Sequence, residues 1–111
     1  MLEVGSIEIT YYQTVDRVVP YLDWFYGLKS LASREIVVNR LTRIQGGNFG
    51  DCKSLKGGIY EPRIHLDQGF RIYFGKRGEQ VIVLLVGGEK KTQQKDIVKA
   101  KKYWQECKSR A

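Results

Sequence analysis

The apolar and polar positions of the chain change period several times, and the changes mark out its elements. Ile7-Glu-Ile-Thr-Tyr-Tyr12 alternates and is rich in β-formers, which predicts a strand. Thr14 follows as a candidate cap for a helix on which Val15, Val18, Val19, Leu22, Phe25 and Tyr26 keep helical spacing, with Pro20 inside and Gly27 at its end. Ser30 is a cap for a second helix with Val37, Leu41 and Ile44 on one face, stopped by Gly46-Gly47. Two helices so closely joined predict an antiparallel helical hairpin.

Beyond Cys52 the period falls to two. A short extended piece near Cys52–Leu55 precedes strands at Ile59–Leu66, Phe70–Phe74 and Gln80–Val86. Asp67-Gln68-Gly69 and Lys76-Arg77-Gly78 are three-residue, glycine-ended joins suited to tight hairpins. The last strand is apolar on both faces, which predicts a central place in the sheet. A final helix runs from about Gln93 to Lys108, with Thr92 as a candidate cap. Ile97, Ala100, Trp104 and Cys107 form its inner stripe, while Lys95, Lys99 and Lys102 point elsewhere. The order is β-α-α-β-β-β-α, an α+β class. The expected architecture is an antiparallel sheet packed against the N-terminal helical hairpin and the C-terminal helix.

Composition narrows the function classes. At 111 residues with 42 % hydrophobic content, the chain fits one domain, residues 1–111, with a packed core. A net charge of +7 suits a polyanion or an acidic partner, although a lysine-rich solvated surface would read the same way. Cys52 and Cys107 form no CxxC, which argues against structural zinc, and neither metal nor cofactor is expected. With no signal-peptide pattern and no apolar run long enough to span a bilayer, the expected compartment is the cytoplasm.

The chemistry-bearing residues fall on two neighbouring strands. Alternation sets Tyr60, Ile64 and Leu66 on one face of the first and Glu61, Arg63 and His65 on the other. In the next, Phe70, Ile72 and Phe74 share the apolar face, leaving Arg71 and Tyr73 opposite. Glu61, Arg63, His65, Arg71 and Tyr73 would then share one wet face, able to hold a phosphate and move protons beside it. A solvated sheet face with cross-strand ion pairs is the rival reading. Lys90-Lys91 precede the final helix, where free N–H groups favour an anion. Gly46-Gly-Asn-Phe-Gly50 lacks the lysine spacing of a phosphate loop, which argues against a nucleotide site.

Three runs carry a resemblance: Gly47-Asn-Phe-Gly-Asp-Cys-Lys-Ser-Leu55, Gly58-Ile-Tyr-Glu-Pro-Arg-Ile-His65 and Gly69-Phe-Arg-Ile-Tyr-Phe74. With Leu84-Leu-Val-Gly-Gly-Glu-Lys-Lys-Thr-Gln93, Asp96-Ile97 and Ala100, they resemble the phage-derived addiction-module killer proteins. These are a HigB-like branch of the RelE/ParE toxin superfamily. The resemblance implies a RelE-like fold and a toxin of a type II toxin–antitoxin system. Such a toxin is a ribosome-dependent mRNA endoribonuclease, its partners being mRNA, the ribosome and a helix-turn-helix antitoxin. Operator DNA would be reached only through the antitoxin, and no membrane is involved. It also implies that Arg63 and Arg71 hold the scissile phosphate, and it matches Lys53 and Lys56 to basic positions that contact RNA, a role extended to Lys90 and Lys91. Glu61, His65, Tyr73, Lys90 and Lys91 stay open as base or acid. Two departures stand out. Pro62 replaces an aliphatic residue and removes a ladder N–H, which predicts an edge or bulge, and the chain lacks the tyrosine or histidine that some relatives carry after the last strand. A ParE-like DNA gyrase inhibitor and a catalytically degenerate antitoxin-binding protein are the alternatives.

Overall fold

The computed structural model describes residues 6–66 and 68–110. It is an α+β fold in which a five-stranded mixed sheet carries helices on both faces. The strands are β1 (Glu8–Tyr11), β2 (Cys52–Ser54), β3 (Ile59–Ile64), β4 (Phe70–Arg77) and β5 (Val81–Gly88). The helices are α1 (Pro20–Gly27), α2 (Leu31–Gln45) and α3 (Gln93–Ser109), the last entered through a 3-10 turn at Lys90–Thr92. Asp67, part of one expected hairpin join, lies outside the described residues.

Sheet order is β1-β5-β4-β3-β2. Three consecutive antiparallel pairings build the expected meander. β1, however, pairs parallel to β5, Glu8 against Val81 through Tyr11 against Leu84, so the sheet is mixed rather than antiparallel. The short piece at Cys52 is a true strand and makes a fourth after the helices. β5 is interior, as its two apolar faces require, but β4 holds the middle place.

α1 starts five residues later than the periodicity predicts, at Pro20 after Val19 rather than at Val15 after Thr14. Pro20 lacks an N–H and its ring clashes with a preceding helical turn, so it serves as the first helical residue, with Val19 extended before it. Thr14 closes a turn instead: its N–H donates to the Val18 carbonyl at 2.8 Å, and its Oγ1 accepts from the Val18 N–H at 3.0 Å. Val15 is left in solvent. α2 keeps its expected bounds, with Ser30 Oγ accepting from the Ser33 N–H and Gly47 turning the chain away at φ 94°. α1 and α2 bury their apolar sides in one core on the same face of the sheet, Tyr21, Leu22 and Phe25 with Ile36, Val37, Leu41 and Ile44. Arg34 of α2 donates to the Tyr26 carbonyl at 2.8 Å, and α1 also lies against β5.

Two cores flank the sheet. Ile64, Phe70, Ile72, Phe74, Ile82 and Leu84 meet Tyr21, Val37 and Ile44 on the α1/α2 side. Tyr12, Ile59, Tyr73, Val83, Leu85 and Val86 meet Ala100 and Trp104 of α3 on the other. A bulge between Tyr73–Val86 and Phe74–Leu84 inserts Leu85 into β5, which is why Leu85 and Val86 fall in the same core. Gly75 and Gly87 are floors for the two tryptophans: a Cβ would stand 2.3 Å from the Trp104 ring at Gly75 and 2.2 Å from the Trp24 ring at Gly87. Among the described residues no helix is long and apolar enough to cross a membrane.

Candidate active site

Glu61 is the centre of the polar cluster, and it is completely buried. Its Oε2 accepts from the Tyr73 hydroxyl at 2.9 Å and from Gln93 Nε2 at 2.9 Å, while its Oε1 accepts from Arg63 Nε at 3.1 Å. Arg71 Nε stands 4.0 Å from Oε2. The carboxylate therefore accepts hydrogen bonds from one phenol, one amide and one guanidinium, with the second guanidinium at ion-pair distance, the pairing a buried charge requires. Burial and the Glu61 carboxylate push the Tyr73 phenol far above the ordinary tyrosine value, so it is held as a hydrogen-bond donor.

β3 and β4 bring these groups together by register. Arg63 faces Arg71, and Tyr60 faces Phe74. The ladder is interrupted at Glu61 and Pro62 and resumes in the same register, because Pro62 has no N–H to give. The expected edge position of this strand is corrected: β3 lies between β2 and β4, and Pro62 is buried opposite Cys52.

The face is as the alternation predicts, but it is not wet. α3 covers Glu61 and Tyr73, and Gln93, its first residue, makes the seal, while the Arg71 guanidinium lies at Gly69 beside the 3-10 turn. Arg71 sits at 7 % exposure, its Nη1 donating to the Gly69 carbonyl at 2.7 Å and its Nε without a hydrogen-bond partner among the described residues. Arg63 is the accessible member, with 27 % of its side chain exposed.

His65 and Leu66 lie past the end of β3, both exposed. The His65 Nε2 pairs with the Asp51 carboxylate. That hydrogen bond holds the Asp51 carboxyl below its ordinary value, opposed by slight desolvation and aided by the charges of His65, Arg63 and Arg40. Asp51 is tied in turn to the Arg63 backbone, whose N–H donates to the Asp51 carbonyl at 2.8 Å. The His65–Asp51 pair thus flanks Arg63 without joining the Glu61 cluster.

The lysines are spread around this centre. Lys90 packs its stem against Gly69, and its N–H donates to the Gln68 carbonyl at 3.3 Å, which sets it beside Arg71. Lys91 turns toward Glu89 at 3.9 Å. Lys53 is the Cα partner of Glu61 on β2, and exposed Lys56 lies in the β2–β3 turn, away from the arginines. Thr92 is not the side-chain cap expected for α3. It closes a capping box with Glu89 around the 3-10 turn and donates its hydroxyl to Asp96 at 2.6 Å.

Three participants were not singled out from the pattern. Gln93 carried a signal only in starting a helix with an amide. Asp51 had none beyond preceding a strand. Arg40, 6 % exposed, donates to the carbonyls of Phe49, Asp51 and Arg63, and Gly50 packs on its guanidinium. The glycine loop Gly46–Gly50 therefore wraps an arginine.

No protein-family model matches the chain. Over 83 residues, 75 % of its length, the chain is 45 % identical to an uncharacterized protein of Haemophilus influenzae, and the match covers 84 % of that protein.

Proposed function

We propose that this chain, which belongs to the same family as that H. influenzae protein, is a RelE-like toxin of a toxin–antitoxin pair and cleaves messenger RNA without a metal. The observation that carries the reading is a buried carboxylate, Glu61, bracing two arginines on adjacent strands beside Lys90. Positioned guanidiniums suit the scissile phosphate, because each fork offers two donors to its oxygens.

In this reading Glu61 and Tyr73 are positioning residues, since neither is open to a substrate. Arg63 meets the phosphate first and Arg71 supports it from behind. His65, oriented by Asp51, takes the proton from the 2′-hydroxyl as that oxygen attacks phosphorus. The bond to the 5′-oxygen breaks, and Lys90 supplies the proton to the leaving oxygen. The products are a 2′,3′-cyclic phosphate and a free 5′-hydroxyl. The strand and helix order is compatible with the RelE-like topology, read with its parallel first strand. The partners in this reading are mRNA on the ribosome and a helix-turn-helix antitoxin, in the cytoplasm.

The test is inducible expression in bacteria of the wild type beside Arg63→Ala, with growth curves and primer extension on a reporter message. Growth arrest with new cuts is expected, falling by on the order of 10²-fold in the variant. Arrest without cuts would move the assignment to the gyrase inhibitor, and absence of arrest to a binding-only protein.

A further inference from the structure

On the α3 side of the sheet, outside the Glu61 cluster, a groove of about 260 Å³ opens between the β2–β3 turn and the C-terminal half of α3. Lys56, Lys101 and Lys108 line it together with Gly57, Gln105 and the edge of Trp104, and among the described residues its lining holds no carboxylate. All three lysines are exposed. Three cations converging on one concave surface, with no anion to neutralise them, call for a polyanion.

The groove is built, not incidental. The Trp104 indole N–H donates to the Gly57 carbonyl at 3.0 Å, which ties the turn to the helix. Lys108 Nζ lies 5.8 Å from the centroid of the Trp104 ring. Lys56 sits at φ 70°, a left-handed conformation that a lysine adopts only at a cost, and Gly57 and Gly58 continue it at 66° and 85°. The Lys56 N–H is held by Ser54 Oγ at 3.3 Å and its carbonyl by the Ile59 N–H at 3.3 Å. The fold thus maintains a left-handed turn that keeps Lys56 in the lining of the groove with Lys101 and Lys108.

The groove also continues the arginine site. Gln93, Ile97, Lys101, Gln105 and Lys108 recur at spacings of four and three, which is one stripe of α3. Gln93 bonds Glu61, and Lys101 follows eight residues later, about 12 Å along the helix. Lys53, across from Glu61 on β2, stands between the two.

We propose that this groove is a second phosphate-binding subsite, which grips the backbone of single-stranded RNA a few nucleotides away from the Arg63–Arg71 centre. It rests on the RNA reading above for its ligand class, and it makes Lys101 and Lys108 binding residues. Backbone phosphates are preferred to an acidic protein segment because exposed Lys53 is the cross-strand neighbour of Glu61 and exposed Lys56 follows three residues on, so that cations of β2 and its turn lead from the Arg63 site towards the groove.

The test is fluorescence anisotropy with a short 2′-O-methyl single-stranded RNA, which binds but has no 2′-hydroxyl to react. The wild type is compared with Lys56→Gln/Lys101→Gln/Lys108→Gln and with a control of equal charge loss, Lys95→Gln/Lys99→Gln/Lys102→Gln. Thermal melts of both variants should overlay the wild type. The groove variant should bind about tenfold more weakly or worse at low salt, and its slope of log affinity against log salt, between about 50 and 200 mM, should flatten by about 2. The control should lose far less. Equal losses in the two variants would overturn the subsite, as would an unchanged groove variant. Displacement of the RNA by polyglutamate at matched charge would assign the groove to an acidic protein instead. Binding is read apart from cleavage, so a chain that cuts nothing yet shows the groove-specific loss sinks the nuclease reading and keeps the subsite.

Discussion

The Tyr73 hydroxyl and the Glu61 carboxylate meet at 2.9 Å in the interior, and neither group is exposed. A phenol donating to a carboxylate beneath a helix is a brace, and it separates Glu61 from the exposed catalytic base that its place on a polar strand face suggests.

Glu61→Gln should therefore act first on stability. It removes the counter-charge of buried Arg71 and weakens three hydrogen bonds. Breaking a buried pair costs about 3–5 kcal/mol, and the partial exposure of Arg63 brings the expectation to the lower end. Urea unfolding measures it. A variant with unchanged stability and abolished activity would return Glu61 to the role of base.

Arg40→Lys should be far from conservative. A lysine carries no planar fork and leaves at least one of the Phe49, Asp51 and Arg63 carbonyls without its donor, at about 1–3 kcal/mol for an unsatisfied buried group. Faster hydrogen exchange at the Arg63 amide should accompany the lower urea midpoint, because Asp51, its acceptor, loses its anchor.

Gly87→Ala should disturb α1. The new methyl group would stand 2.2 Å from the Trp24 ring, so the helix must shift or the indole must turn. Overpacking of this kind costs about 1–3 kcal/mol, read as a lower melting temperature with a changed tryptophan emission. Retention of both would mean that the α1–β5 contact is looser than the geometry implies.

The Asp51–His65 pair predicts an acid limb. The folded carboxyl is held below its unfolded value near 3.8, so the native state binds fewer protons than the unfolded chain in that interval. The contribution is complete above the unfolded value and is lost as pH falls through the folded one. The stability gap between wild type and Asp51→Asn should close as the solution is acidified below about pH 4. A gap that persists unchanged at lower pH would show that the pair contributes nothing through this charge.

Alternation alone sorted the faces of β3 and β4 correctly, because side-chain period in a strand is a local property and Glu61, Arg63, Arg71 and Tyr73 obey it. What covers a face is a tertiary fact. The Glu61–Gln93 bond joins residues 32 apart, and no local pattern says that α3 begins above that carboxylate. The same holds for β1, whose composition announces a strand but not its direction against β5. Pro62 misled for a related reason. A missing N–H predicts an edge or a bulge, whereas the sheet tolerates a gap in the β3–β4 ladder that resumes in the same register. The late start of α1 was legible in Pro20, which outweighs the apolar spacing before it.

The parallel pairing of Glu8 with Val81 has a consequence in time. A ladder between such distant segments closes a long loop, and pairings of that kind form late. The Gln93 seal over Glu61 likewise waits for the final helix. A chain still emerging from its own ribosome would hold Glu61 without the helix that covers it, and the centre would be complete only once α3 has been made.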